Sequence, residues 1–222
     1  MKKMLLMLFV MISIVSFSSC SEDETLSFPE FPRELTMYVG QTYDTRYVSD
    51  KWFTSDSYFV DVSNSGVITA KHVGRADIDC IESHNNHYIA SIDVTVLPTI
   101  TLYEEPFKWG QFYGASRNSV IDKFGKNYYE IDDAPAIAYK TGNSEAPIMM
   151  FYFENGYDLT SISVLVKSNY KDELLEHLKQ RYNYLGFIDG KYCYIYGTLD
   201  RHGVSVFAYP YSSSYYVASY II

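Results

Sequence analysis

The sequence predicts two domains, an all-β sandwich followed by an α+β antiparallel sheet with two helices, and three observations carry that expectation. Aromatic residues are abundant, with 23 Tyr, 13 Phe and 2 Trp in 222 residues, and such side chains favour pleated, half-buried surfaces. From Leu35 to Val96, short apolar-polar alternations are divided by turn residues, the period-2 pattern of antiparallel strands. Beyond Leu97-Pro98, two stretches switch to helical spacing between further alternating runs, and Pro98, unable to donate to a sheet ladder, marks the boundary.

The chain opens with Lys2 and Lys3, runs apolar from Met4 to Val15, and reaches Cys20 through small residues. That is the tripartite plan of a signal peptide. As a helix the apolar run rises about 18 Å, short of the ~30 Å hydrocarbon core of a bilayer. Phe17-Ser18-Ser19-Cys20 resembles the lipobox of bacterial lipoproteins, with Phe17 in place of the usual Leu. The resemblance implies that residues 1–19 are a lipoprotein signal peptide and that Cys20 carries the lipid, so the membrane is a partner through that anchor. Ser21-Glu22-Asp23-Glu24 resembles the acidic tag that sends lipoproteins of some Gram-negative bacteria to the outer face of the outer membrane. Residues 20–32 are then an acidic tether, hydrated and extended.

Across residues 33–97 the strands follow one another without a helical interruption. Leu35–Val39 ends at Gly40, Trp52-Phe53 at Thr54-Ser55-Asp56, Val60–Val62 at Asn64-Ser65-Gly66, and Val67–Ala70 runs on to Gly74. Ala76–Cys80 and Ile92–Val96 each show one apolar and one polar face, and Cys80 lies on the apolar side as a small hydrophobe. Val39-Gly40-Gln41-Thr42, Trp52 with Ser55-Asp56, Ser65–Ala70, Gly74–Ile78 and Val94–Val96 together resemble the bacterial immunoglobulin-like group 2 (Big2) family. The resemblance implies an Ig-like sandwich of the kind found in surface proteins and adhesins, where it serves as a stalk or contacts a ligand itself.

Residues 99–222 mix helices with aromatic strands. Ser116 is a candidate N-cap for a helix with Val120, Ile121 and Phe124 on one face, ended by Gly125. Strands are expected at Ile137–Tyr139, Ile148–Phe153 and Ile162–Val166, with Glu154-Asn155-Gly156 as a tight turn. A second helix is expected after Asn169, with Leu174, Leu175, Leu178, Tyr182 and Leu185 at helical spacing and Gly186 at its end. Tyr192–Tyr196, where Cys193 alternates with Ile195, Val204–Tyr209 and Tyr215–Ile222 complete the sheet. The halves repeat at a shift of 54, matching Val120 to Leu174 and Phe153 to Phe207. With Trp109-Gly110 ahead of the capped helix, this faintly resembles the helix-plus-hairpin fold of outer-membrane assembly lipoproteins and β-lactamase inhibitor proteins.

A net charge of -9 repels a phosphate backbone, so nucleic acid is not an expected partner. His72, His84, His87, His177 and His202 include only one close pair, His84 and His87, in an Asn-rich loop without paired Cys. Nothing there favours a metal, and no cofactor motif or nucleophile elbow occurs. The acidic pairs Glu104-Glu105 and Asp132-Asp133 could supply carboxylates for glycoside hydrolysis, yet neighbours on a strand face opposite ways. The expectation is therefore a non-catalytic, lipid-anchored outer-membrane protein facing the exterior, binding a glycan or a surface protein. A structural role in the envelope and polysaccharide hydrolysis stay open as alternatives. Its candidate contact residues are Tyr209, Tyr211, Tyr215, Tyr216 and Tyr220, flat rings with hydrogen-bonding rims, and alternation requires Tyr215 and Tyr216 to face opposite ways.

Overall fold

The computed structural model describes residues 30–49, 51–81, 88–105, 114–132, 134–155, 158–198 and 201–221. The signal segment 1–19, Cys20, the acidic run 21–24, His84, His87, Trp109-Gly110, Asp133, Gly156 and the side chain of His202 lie outside the described residues. Seven strands precede Pro98: β1 (Glu34–Tyr38), β2 (Thr42–Asp44), β3 (Trp52–Thr54), β4 (Val60–Val62), β5 (Val67–Ala70), β6 (Gly74–Ile81) and β7 (Tyr88–Leu97). They form a four-stranded sheet in the order β1-β7-β6-β3 and a three-stranded sheet in the order β2-β5-β4.

Alternation decides which side chains are buried. In β7, Ala90, Ile92, Val94 and Val96 are buried while Ser91, Asp93 and Leu97 are exposed. These four join Trp52, Val60, Ile68, Ile78 and Cys80 in one cluster drawn from both sheets. Not every pairing is antiparallel: β1 runs parallel to β7, with Leu35 opposite Val94. A parallel pair needs a long crossover, which the five intervening strands supply. The Trp52 indole donates to Tyr47 O at 3.0 Å. Phe31, expected in the tether, instead meets Tyr47 and Trp52 edge-to-face at 5.9 and 5.8 Å. Gly66 has φ +77 and no room for a Cβ against Thr45 and Tyr47, so only glycine fits this turn.

The remaining chain adds α1 (Arg117–Phe124), β8 (Tyr129–Glu130), β9 (Ala136–Lys140), β10 (Ile148–Glu154), β11 (Asp158–Lys167), α2 (Lys171–Lys179), β12 (Asn183–Ile188), β13 (Lys191–Thr198), β14 (Arg201–Pro210) and β15 (Tyr215–Ile221). The eight strands make one sheet in the order β12-β13-β14-β15-β11-β10-β9-β8, so each half is a helix followed by four antiparallel strands. The last strands of the halves meet at the centre, where Val164 pairs with Ala218. Those positions are 54 residues apart, as a local two-fold relation between the halves requires. Val120 and Leu174 are both fully buried. Phe153 and Phe207 break the relation, since Phe153 lies in the helix-side core and Phe207 on the opposite face, with a bulge between Tyr152 and Phe153.

Ser116 caps α1, its hydroxyl accepting from Ser119 N, and Gly125 ends the helix at φ 90. The second helix is shorter than its spacing suggests. It stops at Lys179; the N–H groups of Arg181 and Tyr182 both turn back to Leu178 O. Leu185 and Gly186 belong to β12, Leu185 exposed and Gly186 at a bulge opposite Cys193. Pairing of Asn183–Ile188, which carries Tyr184 and Phe187, with β13 prevails over helical propensity here. Val120, Leu174 and Leu178 pack in the same cluster as Ile137, Phe151, Ile162, Val164 and Val206, which puts both helices on one face of the sheet.

Phe31–Ile222 forms one compact unit, and the turn after α2 is where its parts join. Gln180 O accepts from Val73 N at 2.9 Å, and Arg181 O accepts from the Tyr58 hydroxyl at 2.7 Å. The buried Gln180 side chain accepts from Thr99 N and Ile100 N at 2.9 and 3.3 Å, tying down the segment that leaves β7.

Candidate functional site

With both helices on one face, the other face of the eight-stranded sheet carries no covering layer among the described residues. Alternation places there a smaller cluster of Ala138, Met150, Leu165 and Val217, edged by Ile148, Tyr152, Tyr209 and Tyr215. Cross-strand partners define its rows. One runs Lys140, Ile148, Leu165, Val217, Tyr209 through successive strands, and the Lys191 ammonium beyond it lies 5.0 Å from the Tyr209 ring. The next runs Tyr129, Ala138, Met150, Ser163, Ser219, Phe207. At ~4.8 Å per strand the lysines at the ends of the first row stand about 24 Å apart.

The middle of this face is low. Ser163 donates to Ser219 at 3.2 Å, and with Ser163 only 4% exposed the longer neighbouring side chains lie across this short pair. Burial pushes the Tyr152 phenol up, and the nearby Tyr211 and Tyr209 hydroxyls add to that shift, while the Tyr152 hydroxyl reaches Met150 Sδ at 3.6 Å. At one end, Tyr129, Ala138, Lys140 and Ile148 line a hollow of about 290 Å³, with the Lys140 ammonium 5.5 Å from the Tyr129 ring. Neither row contains a carboxylate, and Lys167, opposite Tyr215, adds a further cation.

Of the tyrosines expected to make contacts, Tyr209, Tyr211 and Tyr215 belong to this face, and Tyr211 is 59% exposed. Tyr216 points the other way, against the helix-side core, with the Lys171 ammonium 5.8 Å from its ring. Tyr220 is corrected outright: it is 0% exposed, its hydroxyl 2.6 Å from that of Tyr103. Strand parity sets both outcomes, because Tyr216, Ala218 and Tyr220 share the helix side. Tyr129, Tyr152, Phe207, Lys140 and Lys191 were missed from the sequence; the unbroken apolar run Ile148–Phe153 hides its own parity, and no local signal marks the lysines.

The acidic residues separate sharply. Glu104 is exposed, whereas Glu105 accepts from His177 Nε2 at 3.0 Å, the Tyr182 hydroxyl at 2.9 Å and Arg181 Nε at 3.4 Å. His177 Nδ1 accepts from Leu102 N at 3.3 Å, which fixes the proton on Nε2. Burial holds His177 below its ordinary value, opposed by Glu105, so the ring is neutral and Arg181 is the counter-charge. Burial, with Glu105 beside them, also drives the Tyr103, Tyr182 and Tyr220 phenols well up. This cluster fastens the 99–105 segment to α2, to the Arg181-Tyr182 turn that follows it and to β15. Cys80 and Cys193 are both buried. No family model matches the chain, and no curated protein matches it.

Proposed function

We propose that this chain is a non-catalytic binding module, held on the outer face of the outer membrane by lipid at Cys20. In this reading residues 33–97 are an Ig-like spacer of the Big2 type and residues 99–222 an α+β domain that presents the ligand surface. The observation that carries it is the uncovered sheet face, where aromatic rings and hydroxyls stand between lysines on a chain of net charge -9. Exposed rings, Tyr129 and Tyr211 at 52% and 59%, over the close-packed floor of Ala138, Met150, Leu165 and Val217 are the usual mark of a contact surface. Local positive charge on an acidic chain selects an anionic partner and steers its approach. An extended glycan bearing uronate or sulfate groups meets both demands, its ring faces lying on Tyr209 and Tyr211 and its charges reaching Lys140 and Lys191. Junction contacts at Gln180 and Arg181 support the spacer role, since they hold the sheet at a fixed angle rather than on a loose hinge.

The test is binding of the full chain to polygalacturonate and dextran sulfate, with neutral dextran as control. Saturable binding to the anionic polymers is expected, weakened at least tenfold by Tyr211→Ala and by Lys140→Ala with Lys191→Ala, at unchanged melting temperature. Binding to dextran alone, or to an acidic protein and no polymer, defeats the glycan reading. Cys20→Ala should move the protein from the membrane to the soluble exported fraction, and replacing Glu22, Asp23 and Glu24 by Ala should shield it from external protease.

A further inference from the structure

A second cleft, of about 490 Å³, opens where the β3–β4 and β5–β6 turns face the start of β12 and the end of β13. We propose that it binds a neutral saccharide of one or two rings, independently of the open sheet face.

Its aromatic wall is held in place from several directions. The Tyr58 ring is wedged between His72, stacked at 4.3 Å and 12°, and Tyr196 at 4.5 Å. The Tyr58 hydroxyl is anchored on Arg181 O, and its carbonyl accepts from His72 Nδ1 at 2.8 Å. Tyr196 is there because the pairing of β13 with β14 slips between Ile195 and Gly197, and Gly197 takes φ 80. A bulge of this kind re-aims one side chain out of the ladder, and here it turns Tyr196 toward Tyr58.

The polar lining is mixed and its formal charges cancel. Lys71 donates to Ser57 O at 2.7 Å, which occupies one of the three protons of an ammonium. Asp56 accepts from Tyr58 N at 2.9 Å through one oxygen, and a carboxylate has acceptor sites beyond that. Asn183 uses its amide N–H on Gly197 O at 2.5 Å, so its own carbonyl is turned to the acceptor role. His72 with its proton on Nδ1 presents Nε2 as an acceptor, and burial keeps the ring neutral. The cleft thus offers donors and acceptors side by side next to ring surface. That suits vicinal hydroxyls, which donate and accept, on a ring whose C–H face is apolar. A ligand with net charge would set one of Lys71 and Asp56 against a like charge. The volume lies within the range of small-molecule sites.

The experiment titrates the full chain with glucose, galactose, N-acetylglucosamine, lactose and cellobiose, read by ligand-detected NMR and calorimetry, with glucosamine and glucuronate as charged analogues. At least one neutral sugar is expected to bind one-to-one. Lys71→Ala, at an exposed position, and Tyr196→Leu should each weaken it at least tenfold, and Tyr211→Ala on the sheet face should leave it unchanged. The idea is overturned if no sugar of the panel binds, if a charged analogue binds tighter than its neutral parent, or if Lys71→Ala retains full affinity. Loss on Tyr211→Ala instead would assign the sugar to the sheet face and also overturn it. Failure of polygalacturonate or dextran sulfate to bind bears only on the sheet face.

Discussion

Glu104 and Glu105 are adjacent identical residues, and the structure predicts opposite consequences for removing them. Glu105→Ala leaves the His177 Nε2–H and the Tyr182 hydroxyl without their acceptor, and those residues are 0% and 6% exposed. An unsatisfied buried donor costs about 1–3 kcal/mol, so two give about 2–6 kcal/mol. Arg181, whose side chain is 10% exposed, also loses its counter-charge, while the 21% exposure of the Glu105 side chain admits water and moderates the total. The expected loss is about 3 kcal/mol. Glu104→Ala, at an exposed position with no such partners, should stay within about 0.5 kcal/mol of the wild type. Urea unfolding followed by far-ultraviolet circular dichroism measures both, and at ordinary slopes the Glu105 variant shifts the midpoint down by about 1 M or more. Glu105→Gln, which keeps one acceptor and the volume, should fall between. If Glu105→Ala unfolds within 0.5 kcal/mol of Glu104→Ala, the cluster does not fasten the 99–105 segment and its hydrogen bonds are incidental.

Other substitutions and conditions follow from the same geometry. His72 and His177 are both held below the ordinary 6.5 by burial. The unfolded chain therefore takes up protons first, and stability that is complete above pH 6.5 is lost progressively below it; His177→Gln should flatten that acid slope in a pH series of urea midpoints. At the alkaline end the buried Tyr103, Tyr182 and Tyr220 phenols, raised above 10.0, lend stability that disappears as pH rises past 10, visible as phenolate absorbance appearing together with unfolding. Tyr220→Phe removes the bond to Tyr103 and should cost about 1 kcal/mol, whereas Tyr194→Phe, whose buried hydroxyl has no hydrogen-bond partner among the described residues, should cost nothing. Trp52→Ala empties a site that is 6% exposed and should destabilise by about 3–5 kcal/mol in the same unfolding assay.

What the sequence disclosed, and what it concealed, divides along the range of the interactions. Period-2 runs such as Ala90–Val96 carry their own burial pattern, and the Ser116 cap and Gly125 stop are local chemistry; both were legible. The direction in which β1 pairs with β7 is not written in either strand, because Leu35 and Val94 lie far apart in the chain. The end of α2 was misread although its competitor is local: Tyr182 and Leu185 continue the helical spacing and mask the hairpin in which Asn183–Ile188 pairs with β13 across Asp189-Gly190. Within the tyrosine cluster, alternation correctly separated Tyr215 from Tyr216, yet only the position of the helices says which side is covered, and that placed Tyr220 in the core. Glu105 and Glu104 are indistinguishable in the sequence; contact with α2 alone tells them apart.

The central claim is that the uncovered sheet face engages the ligand, and hydroxyl-radical labelling of the full chain with and without saturating polygalacturonate or dextran sulfate tests it most directly. Tyr129, Tyr209 and Tyr211 should lose reactivity when polymer is bound, while Tyr38, Tyr88 and Phe187, exposed at 47%, 65% and 60% on other surfaces, keep theirs. Protection of Tyr38 and Tyr88 with Tyr211 unchanged would contradict the claim and move the contact to the N-terminal sheets.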